Sequence, residues 1–134
     1  YYFGSGTNFH ALVNNEIHFF GYTFMYIDEG IDTGEIIHQA RPDVFPFDNP
    51  HQIGNRLIKK MVNDFITLVE NFKSIKKIKS SNKYIGKTYK RKDATTELTE
   101  KLYSNFKNNS ILKYLKSKDK LENKYKLIQQ DFLK

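Results

Sequence analysis

Cysteine and tryptophan are absent from this chain of 134 residues, and proline occurs only three times. Without thiols there are no disulfide staples, no zinc ribbon and no cysteine nucleophile, and the lack fits a reducing, cytoplasmic setting. Uninterrupted apolar runs extend over only a few residues, too few for a membrane-spanning helix, so no membrane is expected among the partners. The opening stretch Tyr1-Tyr2-Phe3-Gly4-Ser5-Gly6 carries neither the basic flank of a signal peptide nor an initiating Met, and the chain is expected to be a portion of a longer protein. What is abundant is aromatic and charged: 11 Phe, 9 Tyr and 28% charged residues. That composition suits a folded core rather than a disordered tail.

Charge is distributed unevenly. Residues 1–58 hold two basic side chains, Arg41 and Arg56, against seven acidic ones, a net of −5, whereas the remainder holds 20 basic and 8 acidic, a net of +12. All four His, all three Pro and six of the seven Gly also fall in the first part, which is where turns and chemistry are expected. The lysine-rich second part reads as a solvated helical surface. An RNA-binding face is a less favoured reading of it.

Local patterns outline the elements. Ser5 or Thr7 is positioned to cap a short helix through Phe9 and Ala11-Leu12-Val13. Residues 19–27, aromatic and nearly free of charge, read as a strand buried on both faces, and residues 35–45 as a second strand with Pro42 at an edge or bulge. Asp48-Asn49-Pro50 then signals a helix start, followed by an apolar stripe from Ile53 to Phe72 that should cover the sheet. Residues 74–92 read as a linker. Leu98, Leu102 and Phe106 outline a further helix, capped by Asp93 or Thr95, and the spacing of Leu121, Tyr125, Ile128 and Phe132 suggests a last one.

Few residues are arranged for chemistry. The histidines lack metal-ligand spacing, with His10 and His51 on helices, His18 in a turn and His38 in a strand. No phosphate loop, nucleophile elbow or dinucleotide fingerprint occurs. Asp28, Glu29 and Asp32 are crowded into five positions directly after a strand, in Asp28-Glu29-Gly30-Ile31-Asp32-Thr33-Gly34. Crowded carboxylates can supply a proton-transfer group, although a solvated turn explains the same residues. The spacing does not match a calcium loop, and the long helix after Pro50 argues against an aspartic-protease setting for Asp32.

This acidic motif, within the stretch 21–39, resembles the signature of the folate-dependent formyltransferases, which include methionyl-tRNA, glycinamide ribonucleotide and amino-sugar formyltransferases. Tyr2-Phe3-Gly4 and the helix through Ala11-Leu12-Val13-Asn14-Asn15 resemble the segment that precedes that signature. The resemblance covers residues 1–72. It implies an α/β fold in which the chain supplies a partial mixed sheet of a Rossmann-like domain, residues 1–73, with a basic linker and helical tail over residues 74–134. It implies one-carbon transfer, with 10-formyltetrahydrofolate as formyl donor and a primary amine as acceptor. Asp32 takes the position of the family's catalytic Asp, while Asp28, Glu29, Gly30, Ile31 and Thr33 correspond to the loop lining the pterin pocket.

The family's catalytic Asn and His lie just before the Tyr that matches Tyr2, so the resemblance places both in an N-terminal portion that precedes this chain. Phe3 stands where the methionyl-tRNA branch usually has Arg, which makes an amino-sugar nucleotide at least as good an acceptor. The chain alone is expected to be inactive. A non-catalytic scaffold or binding protein that keeps the folate loop is the alternative reading.

Overall fold

The computed structural model describes residues 2–30, 33–78 and 86–134. Among these residues four strands and four α-helices follow one another: β1 (Tyr2–Gly4), α1 (Thr7–Val13), β2 (Tyr22–Met25), β3 (Ile36–Ala40), α2 (Pro50–Glu70), β4 (Lys87–Tyr89), α3 (Thr96–Lys107) and α4 (Ser110–Lys124). Among the described residues the strands form two small sheets. β1 lies parallel to β4, Tyr2 opposite Lys87 and Gly4 opposite Tyr89. β2 lies antiparallel to β3, Thr23 opposite Gln39 and Phe24 opposite His38, with an irregularity between Phe24 and Met25. The architecture is mixed α/β.

Both central strands are shorter than their aromatic and β-branched content predicts. Phe19 ends a 3-10 turn, Ile17–Phe19, and the Asn8 side chain then grips both backbone groups of Gly21 at 3.0 Å, so regular pairing starts only at Tyr22. At the far end Ile27 is 100% exposed. Every β2 residue is half-buried rather than buried on both faces, because the sheet has two strands and a helix on only one side. β3 stops at Ala40, and Pro42, which has no N–H to offer, lies beyond it.

α2 begins as its sequence dictates. Asn49 accepts the Gln52 N–H at 2.9 Å while Gln52 reaches back to the Asn49 N–H at 2.9 Å, a reciprocal cap with Pro50 in the first turn. Arg56 braces the approach with two hydrogen bonds to Asp48, at 2.9 and 3.0 Å. Burial favours the neutral Asp48 carboxyl, but those bonds and one from the Phe45 N–H outweigh it and hold the group below the usual carboxylate range. α1, by contrast, is capped by neither Ser5 nor Thr7: Gly6 occupies the cap in a left-handed conformation, without a side-chain bond.

The apolar arc of α2 is wider than its contact. Ile53, Leu57 and Leu68 are buried, while Ile58, Val62, Phe65, Ile66 and Val69 on the adjoining arc each remain about half exposed. The helix therefore covers the hairpin with one edge of its stripe, through Phe65 against Phe24 and Asp64 against the Tyr22 hydroxyl.

The second half is packed into the first. Leu102, Ile111 and Tyr114 share one cluster with Leu12, Val13, Ile17, Phe20, Val44, Ile53 and Leu57. Thr95 caps α3 by accepting the Leu98 N–H, at 3.4 Å. The last α-helix ends at Lys124, earlier than the spacing of Tyr125, Ile128 and Phe132 predicts. Beyond it the chain runs alongside β3, where the Gln39 N–H donates to the Ile128 carbonyl at 2.7 Å and the Ile128 N–H to Gln39 Oε1 at 3.2 Å. Backbone groups matched to a strand edge cannot also serve a helix. Part of the predicted linker, residues 79–85, lies outside the described residues.

Candidate functional site

The acidic loop after β2 is a tightly closed turn. The Tyr26 N–H donates to the Glu35 carbonyl at 2.9 Å, carrying the strand pairing one step past β2. Within the turn, Asp28 Oδ1 accepts from the Gly30 N–H at 3.0 Å and from the Thr33 hydroxyl at 2.7 Å. One carboxylate oxygen thus ties the two ends of the loop together, the use of Asp that turn chemistry favours. Close approach requires glycine at position 34, where a Cβ would collide with the Tyr26 carbonyl oxygen, whereas a Cβ on Gly30 would meet the Thr33 side chain.

Of the residues singled out in the sequence, the structure brings Asp28, Gly30 and Thr33 into this one knot and leaves Glu29 exposed beside it. Ile31 and Asp32, the expected proton-handling residue, lie outside the described residues.

The loop borders a cleft of about 590 Å³. Its walls come from four separate stretches of chain: Tyr2, Phe3 and Asn8 from the start, Thr23 and Met25 from β2, Thr33, Gly34 and Gln39 around β3, and residues 126–128 from the tail. The cleft occupies the face of the hairpin that α2 does not cover. Gln39 donates to the Thr23 hydroxyl at 3.3 Å, so the polar side chains on this face are held in a fixed row. At one end Arg41 bridges two segments, with Nε donating to the His18 carbonyl at 2.5 Å and Nη2 to the Tyr125 carbonyl at 2.6 Å.

Burial sets the protonation of the cleft's titratable groups. His18 is pushed below its ordinary value by burial, against an opposing pull from Glu16, and stays neutral at pH 7. Tyr2 is raised far above the ordinary tyrosine value by burial. Its hydroxyl donates to Glu16 and accepts from the Asn14 amide at 3.0 Å, while its ring stacks on Tyr89 at 5.4 Å between centroids. These contacts fix the first strand as a rigid wall. Sequence reasoning found the loop but not Asn8, Thr23, Gln39 or Arg41, since no motif or period links residues that meet only after folding.

The loop knotted by its own Asp and Thr thus contributes Thr33 and Gly34 to the lining of the cleft. The formyl transferase family model matches residues 2–69, just over half of the chain, and covers both the loop and the first wall of the cleft. The chain belongs to the formyl transferase family. Comparison with curated proteins and with solved structures gave no match.

Proposed function

We propose that this chain is the C-terminal part of the catalytic domain of a formyltransferase that moves a formyl group from 10-formyltetrahydrofolate to a primary amine. The amine belongs to an amino-sugar nucleotide or to methionyl-tRNA. The observation that carries this reading is the position of the knotted loop at the edge of a cleft whose opposite wall begins at Tyr2. On this reading the catalytic Asn and His precede Tyr2 in sequence, on the side of the chain that leads into that wall. The half-exposed stripe of α2 is the face that this reading gives to the upstream βα units of a Rossmann-like sheet.

The roles follow from the bonding changes. The amine nitrogen bonds to the formyl carbon and loses a proton, and the folate nitrogen regains one as its bond to that carbon breaks. The developing negative charge on the formyl oxygen needs donors, which the upstream Asn and His supply. Asp32 orients and charge-stabilises that His, or relays the proton through water. Asp28, Gly30 and Thr33 hold the loop's backbone toward the pterin ring, flanked by Glu29 and Ile31. The tight closure of this turn supports the reading, because a binding loop must keep its shape when empty.

The test separates Asp32 from its acidic neighbour in the complete enzyme. Asp32→Asn keeps the size and removes the charge, and should lower kcat by a factor on the order of a hundred to ten thousand with little change in folate affinity. Glu29→Gln should change kcat much less. Equal effects of the two substitutions, or an effect of Asp32→Asn on folate affinity alone, would make Asp32 a loop-shaping residue and favour a non-catalytic folate-binding protein.

A further inference from the structure

His38 is completely buried in the middle of β3, and the transfer chemistry gives it no task. Its two ring nitrogens face different parts of the molecule. Nδ1 accepts the main-chain N–H of Gln130 at 3.2 Å, so this nitrogen must present a lone pair and the neutral ring carries its proton on Nε2. Nε2 has no hydrogen-bond partner and points toward Asp64 Oδ2 on α2, 3.9 Å away. That carboxylate also accepts from the Tyr22 hydroxyl of β2 and from Lys60 Nζ at 2.9 Å.

Adding a proton to this ring has opposite effects at its two ends. At Nδ1 it sets one N–H against another, so the Gln130 bond is lost. At Nε2 it places a cation within ion-pair range of a carboxylate. Gln130 is also the hub of the tail's attachment: its side-chain amide donates to the Ile37 carbonyl at 3.0 Å and to the Lys76 carbonyl at 2.8 Å, and accepts the Lys76 N–H at 2.9 Å. The adjoining residues 126–128 form one wall of the cleft.

We propose that His38 is a proton-operated latch: the neutral ring holds the tail, residues 126–133, along β3, and protonation frees that segment and opens the wall it contributes to the cleft. The latch does not depend on which ligand the cleft takes. Burial and Lys60 oppose protonation while Asp64 favours it, and the ring sits below its ordinary value on balance. On the tail side Asp131 is exposed and engaged by Lys134 at 2.6 Å and Lys76 at 3.4 Å. The switch therefore operates on the acid side of neutrality, with α2 as the element that receives the charged ring.

Backbone amide exchange on the full chain at pH 7.5 and 5.5, corrected for intrinsic rates, tests the proposal. The amides of Gln39, Ile128, Gln130 and Leu133 should lose at least about tenfold in protection at pH 5.5 while those of Ile53 and Leu57 keep theirs. His38→Gln supplies a carbonyl that can accept the Gln130 N–H without titrating, and should keep the tail protected at pH 5.5. Loss of protection in α2 and tail together, no change with pH, or acid opening that persists in His38→Gln would each overturn the latch. If His38→Gln does not fold, ring nitrogen shifts of the wild-type histidine decide: an Nε2–H tautomer whose titration coincides with tail opening supports the proposal, and an Nδ1–H tautomer ends it.

Discussion

The two faces of the β2–β3 hairpin are drawn from the same nine positions, yet they are finished differently. On the α2 face Tyr22, Phe24 and His38 are closed over by Asp64 and Phe65, and Leu68 with Ile37 and Leu133 completes a small apolar cluster. On the cleft face Thr23, Met25 and Gln39 border open space. The strands' alternation, interrupted by the irregularity that brings Ile37 to the same side as His38, thus assigns packing to one side and the cleft to the other, with a single backbone serving both.

That division fails if changes on the two faces have similar effects. Leu68→Ala removes buried apolar volume from the α2 face and should cost about 2–4 kcal/mol, read as a lower denaturation midpoint in urea, with no direct loss at the cleft. A cost below 1 kcal/mol would show that this cluster carries little of the fold.

Acid sharpens the comparison. His10, His18 and His38 are all buried, and burial holds each below its ordinary value of 6.5, so each favours the neutral form in the folded state. Groups of this kind give stability that is fully present above about pH 6.5 and is lost as pH falls through that value, because the unfolded chain takes up protons first. The slope approaches about 1.4 kcal/mol per pH unit for each histidine in the window where only the unfolded state is protonated. Urea unfolding between pH 7.5 and 5.5 measures it. A flat profile would mean that charged rings are tolerated in place.

The smallest effect is expected on the cleft face. Thr23→Val removes a hydroxyl that accepts one 3.3 Å bond from Gln39. It should change stability by less than about 1 kcal/mol and, on the function proposed above, weaken folate binding, as measured by calorimetric titration of the complete enzyme. A midpoint shift as large as that of Leu68→Ala would erase the distinction between the faces.

How much of this was legible in the sequence depended on whether its cause was local. The Asn49-Pro50-Gln52 start of α2 is settled within four residues, and both the cap and the stripe behind it are visible there. Periodicity could not tell which half of that stripe would be covered, since Ile53 and Ile58 look alike until the neighbours are known. The start of α4 was hidden because Ile111 and Tyr114 are scattered among lysines. The run of residues 126–130 along β3 was hidden for a different reason: it rests on amide and imidazole hydrogen bonds from Gln39, Gln130 and His38, and such bonds leave no hydrophobic period. At the site, the turn-forming role of Asp28 was readable from the Gly that follows two positions later. The cleft, assembled from four distant stretches, was not.

The parallel pairing of β1 with β4 has a consequence for how the chain is made. Tyr2 waits for Lys87, so β1, once it has left the ribosome, stays without this partner while more than eighty further residues are added. At ordinary elongation speeds that interval is on the order of ten seconds, far longer than a helix or hairpin takes to form. α1, the β2–β3 hairpin and α2 can organise during synthesis from contacts close in sequence. The aromatic strand β1 becomes a late closure, and its edge toward β4 needs protection until then.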